Sequence, residues 1–231
     1  MIATTGLDRL EIERLVRGAL RNVLRPGCSQ PGEPTQPAAP AQPRLLVNVS
    51  ARHAHVTQSD LERLFGTGHK LTPFKMLYQD GFFAAEETVT FVGPRQRVIN
   101  NLRILGPCRD HSQVELAFTD SIQMGLDVPV RKSGDHRDSP GAYLVGPKGM
   151  IHLERGVIRH QRHVHMCQRE ADHYGVKDGD FLNLRVASDC PAVLEEVLVR
   201  VSAGAKLEVH IDTDEGNAVN LSKAKRVELF R

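Results

Sequence analysis

From residue 44 onward, apolar and polar positions alternate in short runs separated by turn residues, the period of strands with one buried face. Such runs occupy 45–49, 88–93, 97–105, 114–118, 157–166, 181–186, 193–201 and 207–211. Residues 143–145 and 150–153 flank Gly146-Pro147-Lys148-Gly149, which predicts a hairpin. Residues 57–65 have helical spacing instead, with Thr57 and Asp60 in capping-box positions. A second short helix is expected after Met166. Residues 133–141 are polar and turn-rich, and are expected to form a mobile surface loop. The pattern predicts a mainly β fold of small β-barrels with short capping helices.

The first 43 residues follow other rules. Ile12, Leu15, Val16, Ala19, Leu20 and Val23 have helical spacing, with Arg9, Glu13, Arg14, Arg17 and Arg21 mostly outside that stripe. Thr5 and Asp8 are placed to cap such a helix. Residues 26–43 then hold six of the thirteen prolines, among Gly, Ala, Gln and Ser. A segment of that composition buries too little apolar surface to fold, and proline extends it. The expectation is an amphipathic helix at 1–25 on a Pro-rich linker at 26–43. An isolated helix of this length is marginal in water, so its stripe needs a surface, on its own domain or on an external partner.

Composition narrows the function. The 231 residues are 40% hydrophobic, with no Trp, which predicts an aliphatic core. A formal charge of +2 with dispersed basic residues gives no support to nucleic-acid binding. Cys28, Cys108, Cys167 and Cys190 lie far apart without a C-x-x-C, which fits reduced thiols. No apolar run reaches membrane-spanning length, and no secretion signal opens the chain. A soluble, intracellular protein is expected.

Candidate chemistry comes from a repeat. Arg52-His53-Ala54-His55-Val56-Thr57-Gln58-Ser59-Asp60 and Arg162-His163-Val164-His165-Met166-Cys167-Gln168-Arg169-Glu170 share Arg, both His, Gln and an acid at the same offsets. Residues two apart on a strand face one side, so each pair can aim two imidazoles at one point. Imidazole is the commonest protein metal ligand and suits zinc. The duplication therefore predicts two metal points on two related halves. Glu115 lies between the apolar positions 114 and 116, and so points away from their layer. Glu208, His210 and Asp212 share the face opposite Val209 and Ile211. His210 is a candidate ligand and Asp212 a candidate carboxylate to orient an imidazole. His69, His111, His136, His152, His160 and His173 sit in no such frame, and are expected to be surface or structural. Arg109 follows Gly106-Pro107 on a turn, where a guanidinium beside metals suits an oxyanion.

The segments 47–56, 105–109, 112–116, 129–131, 162–166 and 207–215 together, in that order, closely resemble the phosphate propanoyltransferase family, the phosphotransacylases of bacterial microcompartments. The resemblance covers residues 45 to 225. It implies exchange of short-chain acyl-CoA, propanoyl-CoA or acetyl-CoA, plus phosphate with acyl phosphate plus CoA. It also implies two zinc ions per chain between two β-barrels. By motif position Glu115, His163 and His165 match one zinc's ligands, and His53, His55 and His210 the other's. Arg109 matches the phosphate-binding arginine. Ser50, Lys75, Arg103, Leu105 and Asn217 match positions that line the CoA site. The barrels are implied to interleave, with 44–52 plus 161–231 in one and 53–160 in the other. Ser112 replaces the family's usual Thr, and Leu116-Ala117 its usual Ile-Ser. The helix at 1–25 is implied to be an encapsulation peptide that binds shell or cargo proteins. A homo-oligomer in the compartment lumen is expected, with no membrane partner.

On this reading phosphate attacks the thioester directly, without a protein nucleophile. Cys108, beside Arg109, is the residue that could carry a covalent route instead. Two other functions fit the same residues. One is a zinc-dependent CoA-thioester hydrolase, with Asp212 or Glu208 as the base. The other is a non-catalytic microcompartment protein in which zinc only stabilises the barrels.

Overall fold

A computed structural model describes residues 43–231 of the chain. The expected N-terminal helix and linker lie outside the described residues, apart from Pro43. The described part forms one compact unit, mainly β, with two curled sheets and a few short helices. No helix among the described residues is long and apolar enough to cross a membrane.

Fifteen strands divide between the sheets. A six-stranded sheet runs β1 (Leu46–Ser50), β14 (Glu208–Asp212), β11 (His163–Met166), β13 (Ala192–Val201), β12 (Phe181–Ala187) and β15 (Arg226–Phe230). The nine-stranded sheet runs β7 (Val130–Arg131), β10 (Val157–His160), β6 (Gln113–Glu115), β2 (His53–His55), β5 (Val98–Gly106), β4 (Phe83–Val92), β8 (Ala142–Val145) and β9 (Met150–Leu153). Its remaining strand, β3 (Pro73–Met76), pairs with β4. Each sheet has its own aliphatic core. Ala54, Val56, Leu61, Phe91, Ile104 and Leu144 belong to one, and Val164, Met166, Leu184, Val199, Val209 and Ile211 to the other.

The run 157–166 and the stretch 46–55 each change sheets part-way, and these changes define the fold. The run 157–166 divides at Gln161-Arg162, with β10 in the larger sheet and β11 in the smaller. The run 46–55 divides at Ala51-Arg52, with β1 in the smaller sheet and β2 in the larger. The chain thus passes between sheets immediately before each His pair. The hairpin of β8 and β9 forms as expected, with Val145 opposite Met150. Residues 114–118 are only partly a strand: pairing ends at Glu115, and a helix starts at Phe118.

Four short helices complete the frame: α1 (Gln58–Phe65), α2 (Phe118–Met124), α3 (Gln168–Tyr174) and α4 (Thr213–Ala218). In α1 the Thr57 side chain accepts from the Asp60 N–H at 3.0 Å, as the capping pattern predicted. Leu61 and Leu64 seat this helix in the core. The sheets are tied by Arg159, which pairs with Asp212 and, at 3.0 Å, with Glu215. A second tie is Gln79, in the turn after β3. Its amide donates to the Lys206 carbonyl at 2.9 Å and accepts from the Lys206 N–H at 3.1 Å.

Candidate metal centre

Alternation along each ligand-bearing strand sends the spacer residue into a core and its neighbours out of it. Ala54 and Val164, between the paired histidines, are fully buried in the two cores. Val114 and Leu116 flank Glu115 in the same way, and Val209 and Ile211 flank His210. The candidate ligands therefore occupy the non-core face of their strands.

They gather into two groups. His53, His55 and Glu115 form one, and His163, His165 and His210 the other, with ligand atoms in each within 4.8 Å of one another. The resemblance divided the six differently, placing Glu115 with His163 and His165, and His210 with His53 and His55. Strand pairing corrects this. β2 is antiparallel to β6 with His53 opposite Glu115, and β11 is antiparallel to β14 with His163 opposite His210. Directly opposed residues share a face and lie close, so each His pair takes the ligand of the strand beside it.

The same register exposes a longer repeat. Each of the four ligand segments ends two residues before a helix N-cap. Thr57 follows His55, Ala117 follows Glu115, Cys167 follows His165 and Asp212 follows His210. All four caps are extended, and the residue three beyond each is acidic: Asp60, Asp120, Glu170 and Glu215. The Cys167 N–H donates to Glu170 at 2.8 Å, and the Asp212 N–H to Glu215 at 2.9 Å. At Thr57 the Ser112 hydroxyl intervenes, accepting from the Thr57 N–H at 3.0 Å and donating to Asp60 at 2.6 Å. The arginine before each His pair binds one of these acids, Arg52 to Asp120 at 2.6 Å and Arg162 to Glu215 at 2.8 Å.

The donor chemistry fits a cation. His53 Nδ1 donates to the Ala51 carbonyl at 2.8 Å, and His55 Nδ1 faces the Leu105 carbonyl at 3.3 Å. A carbonyl only accepts, so both protons sit on Nδ1 and both Nε2 atoms present lone pairs. Those Nε2 atoms are 3.1 Å apart, and Glu115 Oε2 is 3.4 Å from His53 Nε2. Two lone pairs and a carboxylate so close are repulsive without a positive charge among them. In the second group His163 Nδ1 is tied to the Gln161 carbonyl at 2.8 Å. His210 Nε2 is buried without a well-aligned hydrogen bond, although Glu208 Oε2 stands 3.2 Å away. Three nitrogens, or two nitrogens and a carboxylate, are the donor sets that zinc takes with a position left open.

Burial holds the imidazoles neutral, as metal ligands must be. Desolvation lowers the pKa of His53, and desolvation with His53 lowers that of His55 well below the usual value. Burial and His210 do the same to His163, and bring His165 to about 4. Burial works against ionisation of Glu115, whereas positive charge at the surrounding imidazoles, and the Ser133 hydroxyl, lower its pKa.

The remaining sequence candidates fall around these groups. Arg109 is half-buried after β5, its N–H donating to the Val56 carbonyl at 3.0 Å. Its Nη1 donates to the Ser133 hydroxyl at 2.9 Å, and that hydroxyl donates to Glu115 Oε1 at 2.8 Å. Ser133 thus joins the candidate anion-binding arginine to a candidate ligand. The segment expected to be a mobile loop is pinned at its first residues, because Gln113 also accepts from the Gly134 N–H at 2.9 Å. Lys75 and Leu105 stand on either side of Ala84 in the β3-β4-β5 ladder, with Arg103 two residues before Leu105. Ser50 pairs with Asp212, and Asn217 lines a cavity of about 410 Å³ beside Asn48 and Gly216.

Two residues escaped the sequence reading. His160, expected to be surface or structural, is buried with Nε2 unpartnered, and its ring lies 5.6 Å from that of His163. Arg200 stands beside His165 on β13. Neither lies in a His-X-His frame, so no motif marked them. Burial and then Glu87 push the Cys108 thiol pKa up, which disfavours its thiolate.

A profile described as phosphate propanoyltransferase matches residues 46–222. A phosphate propanoyltransferase of Planctopirus limnophila is 52% identical over 231 residues, covering 100% of this chain and 94% of the relative. The chain belongs to the phosphate propanoyltransferase family. A family member of Thermotoga maritima is 47% identical over 182 residues, 78% of this chain and 86% of its own length. One of Rhodopseudomonas palustris is 39% identical over 178 residues, 77% of this chain and 78% of its own. Membership of this family makes the chain an acyltransferase enzyme. The matched segment contains both donor groups and Arg109.

Proposed function

We propose that the protein transfers a short-chain acyl group, propanoyl or acetyl, between CoA and phosphate at a centre holding two zinc ions. The observation that carries this reading is the pair of donor groups, with Arg109 linked to one of them through Ser133. His53, His55 and Glu115 would hold one ion, and His163, His165 and His210 the other. When bound, such ions supply positive charge for a thioester oxygen, a thiolate or a phosphate.

The chain's own residues do the rest. Arg109 grips phosphate with the free part of its guanidinium, while Ser133 fixes the angle of its fork. Lys75 and Arg103 offer cations to the anionic parts of CoA. Leu105, beside His55, offers an apolar contact, and Ser50 and Asn217 offer polar ones. Holding both substrates together replaces a bimolecular encounter with a local one. An oxygen of hydrogenphosphate then attacks the carbonyl carbon, and the carbon–sulfur bond breaks. The thiolate leaves with the proton that phosphate gives up. No acyl-enzyme is required.

The relevant compartment is proposed to be a microcompartment lumen, with residues 1–25 as the address that binds a shell or cargo partner. The amphipathic stripe of 12–23 and the proline-rich 26–43 support this. The catalytic proposal is tested by thiol release from propanoyl-CoA, with and without phosphate, on protein of measured metal content. Phosphate-dependent release with about two zinc ions per chain is expected. Release that ignores phosphate would identify a hydrolase. Full activity without any transition metal would remove the metals from the mechanism.

A further inference from the structure

Arg200 has no assigned role, and its position is unusual. On β13, Val197 and Val199 enter the core of the six-stranded sheet, so Leu198 and Arg200 face the other way. That is the ligand face, since β13 is parallel to β11 with Leu198 beside His163 and Arg200 beside His165. The guanidinium is half-buried, yet among the described residues it has no hydrogen bond or ion pair. A half-buried guanidinium with no partner in the protein is free to take an anion.

The charges around Arg200 do not neutralise it. Burial makes its guanidinium easier to deprotonate, with Glu115 and Asp178 acting in the opposite sense from a distance. Both carboxylates are engaged elsewhere, Glu115 by Gln113 and Ser133, Asp178 by the Val201 N–H at 2.8 Å. Arg200 also acts unfavourably on the Arg109 guanidinium, after burial and Glu115. Arg109, in the turn after β5, is tied through Ser133 to Glu115 of one donor group, while Arg200 stands beside His165 of the other.

The repeat gives this asymmetry a direction. In the other half β5 is parallel to β2 with Ile104 beside Ala54, so Leu105 stands beside His55 where Arg200 stands beside His165. One half presents an apolar side chain at this position, and the other a cation. We propose that Arg200 is a second phosphate-binding arginine, which grips the inorganic anion together with Arg109. This rests on the phosphate-transfer reading of the site. A tetrahedral dianion has oxygens for two forks.

The test uses zinc-replete, full-length protein and inorganic phosphate. Calorimetric titration of phosphate into Arg200→Gln should show binding weakened about 10- to 100-fold, the loss of a charged hydrogen-bonding partner. Arg200→Lys should fall between it and wild type. The KM for phosphate should rise in parallel, while the KM for propanoyl-CoA and the zinc content stay within about 2-fold. Arg109→Gln combined with Arg200→Gln should cost less than the product of the single effects, because both groups hold one ion. Wild-type phosphate affinity in Arg200→Gln would overturn the assignment. So would a rise confined to the KM for propanoyl-CoA, which would place Arg200 on the CoA phosphates. Loss of zinc in both variants would make it a structural prop. If wild type binds phosphate but transfers no acyl group, the proposed reaction fails while the two-arginine grip stands.

Discussion

Ser133 shows how much of the site hangs on one hydroxyl. It donates to Glu115 and accepts from Arg109 and from Gln113, the last at 2.7 Å. Ser133→Ala leaves a buried carboxylate short of a donor and a guanidinium short of an acceptor. An unsatisfied charged group costs about 1.5–3 kcal/mol, so phosphate affinity should drop roughly 10-fold or more with the fold intact; unchanged affinity would show that Arg109 needs no such support. Cys108 gives the contrasting case. Its thiol is raised by burial, and its Sγ is 3.7 Å from the Gln58 side-chain oxygen. Cys108→Ala should keep activity within about 2-fold of wild type, and mass spectrometry of protein quenched with propanoyl-CoA should find no acylated cysteine. The histidines set the pH response. His165 has a folded-state pKa of about 4 against an ordinary 6.5, and His53, His55 and His163 are shifted the same way. In that window the unfolded chain takes up protons that the folded one refuses, so stability rises with pH. Metal-free protein should therefore lose urea resistance as pH falls from about 6.5 toward about 4. A midpoint that is flat across that interval would contradict the burial of these rings.

At the scale of elements, the ligands were legible because alternation is a local rule. Val114-Glu115-Leu116 and Val209-His210-Ile211 place their middle residue off the core wherever the strand sits. Which ligand joins which His pair was not legible, since it depends on long-range pairing of β2 with β6 and of β11 with β14. A signal was nonetheless present: Glu115 and His210 each precede an acidic residue by five, as do His55 and His165. Helix α2 was missed for a physical reason. Only Met124 and the polar Ser121 are buried, while the apolar Phe118 and Ile122 are exposed, the latter at 73%, so no apolar stripe marks the buried face. The breaks before each His pair were also invisible, because β10 and β11 are both apolar-patterned and only their sheet partners differ. The equivalent acids Asp120 and Glu215 are predicted to differ in weight. Asp120 pairs with the exposed Arg52, whereas Glu215 is buried between Arg159 and Arg162. Asp120→Ala should cost about 1 kcal/mol, the scale of a lost cap and surface pair. Glu215→Ala should cost about 3 kcal/mol or more, because it removes a buried carboxylate shared by two guanidinium groups and the acceptor of the Asp212 N–H. Urea unfolding of the two zinc-loaded variants compares them, and equal losses would rule out this difference.

At the scale of the whole molecule, catalysis and addressing are predicted to be separable. Both aliphatic cores, all six candidate ligands, Arg109 and Arg200 lie within residues 43–231, which form one compact unit. Every tie between the sheets named above, from Arg159 to Gln79, is also made inside that unit. Removing residues 1–42 therefore takes away none of these contacts. The truncated chain should bind about two zinc ions, match the thermal midpoint of the full chain, and retain phosphate-dependent thiol release. What it should lose is association: co-purification with compartment shells, and the self-association that an exposed apolar stripe promotes. Leu15→Glu with Val16→Glu should reproduce that loss in the full-length chain, because two charges interrupt the stripe without shortening the tether. The reciprocal measurement fuses residues 1–43 to a fluorescent protein in cells that make shells. Foci are expected from the fusion and a diffuse signal from the double substitution. If the fusion stays diffuse while the truncated enzyme still enters shells, the address lies on the catalytic unit, and the exposed apolar side chains of β3, Phe74 and Met76, become the surface to test next.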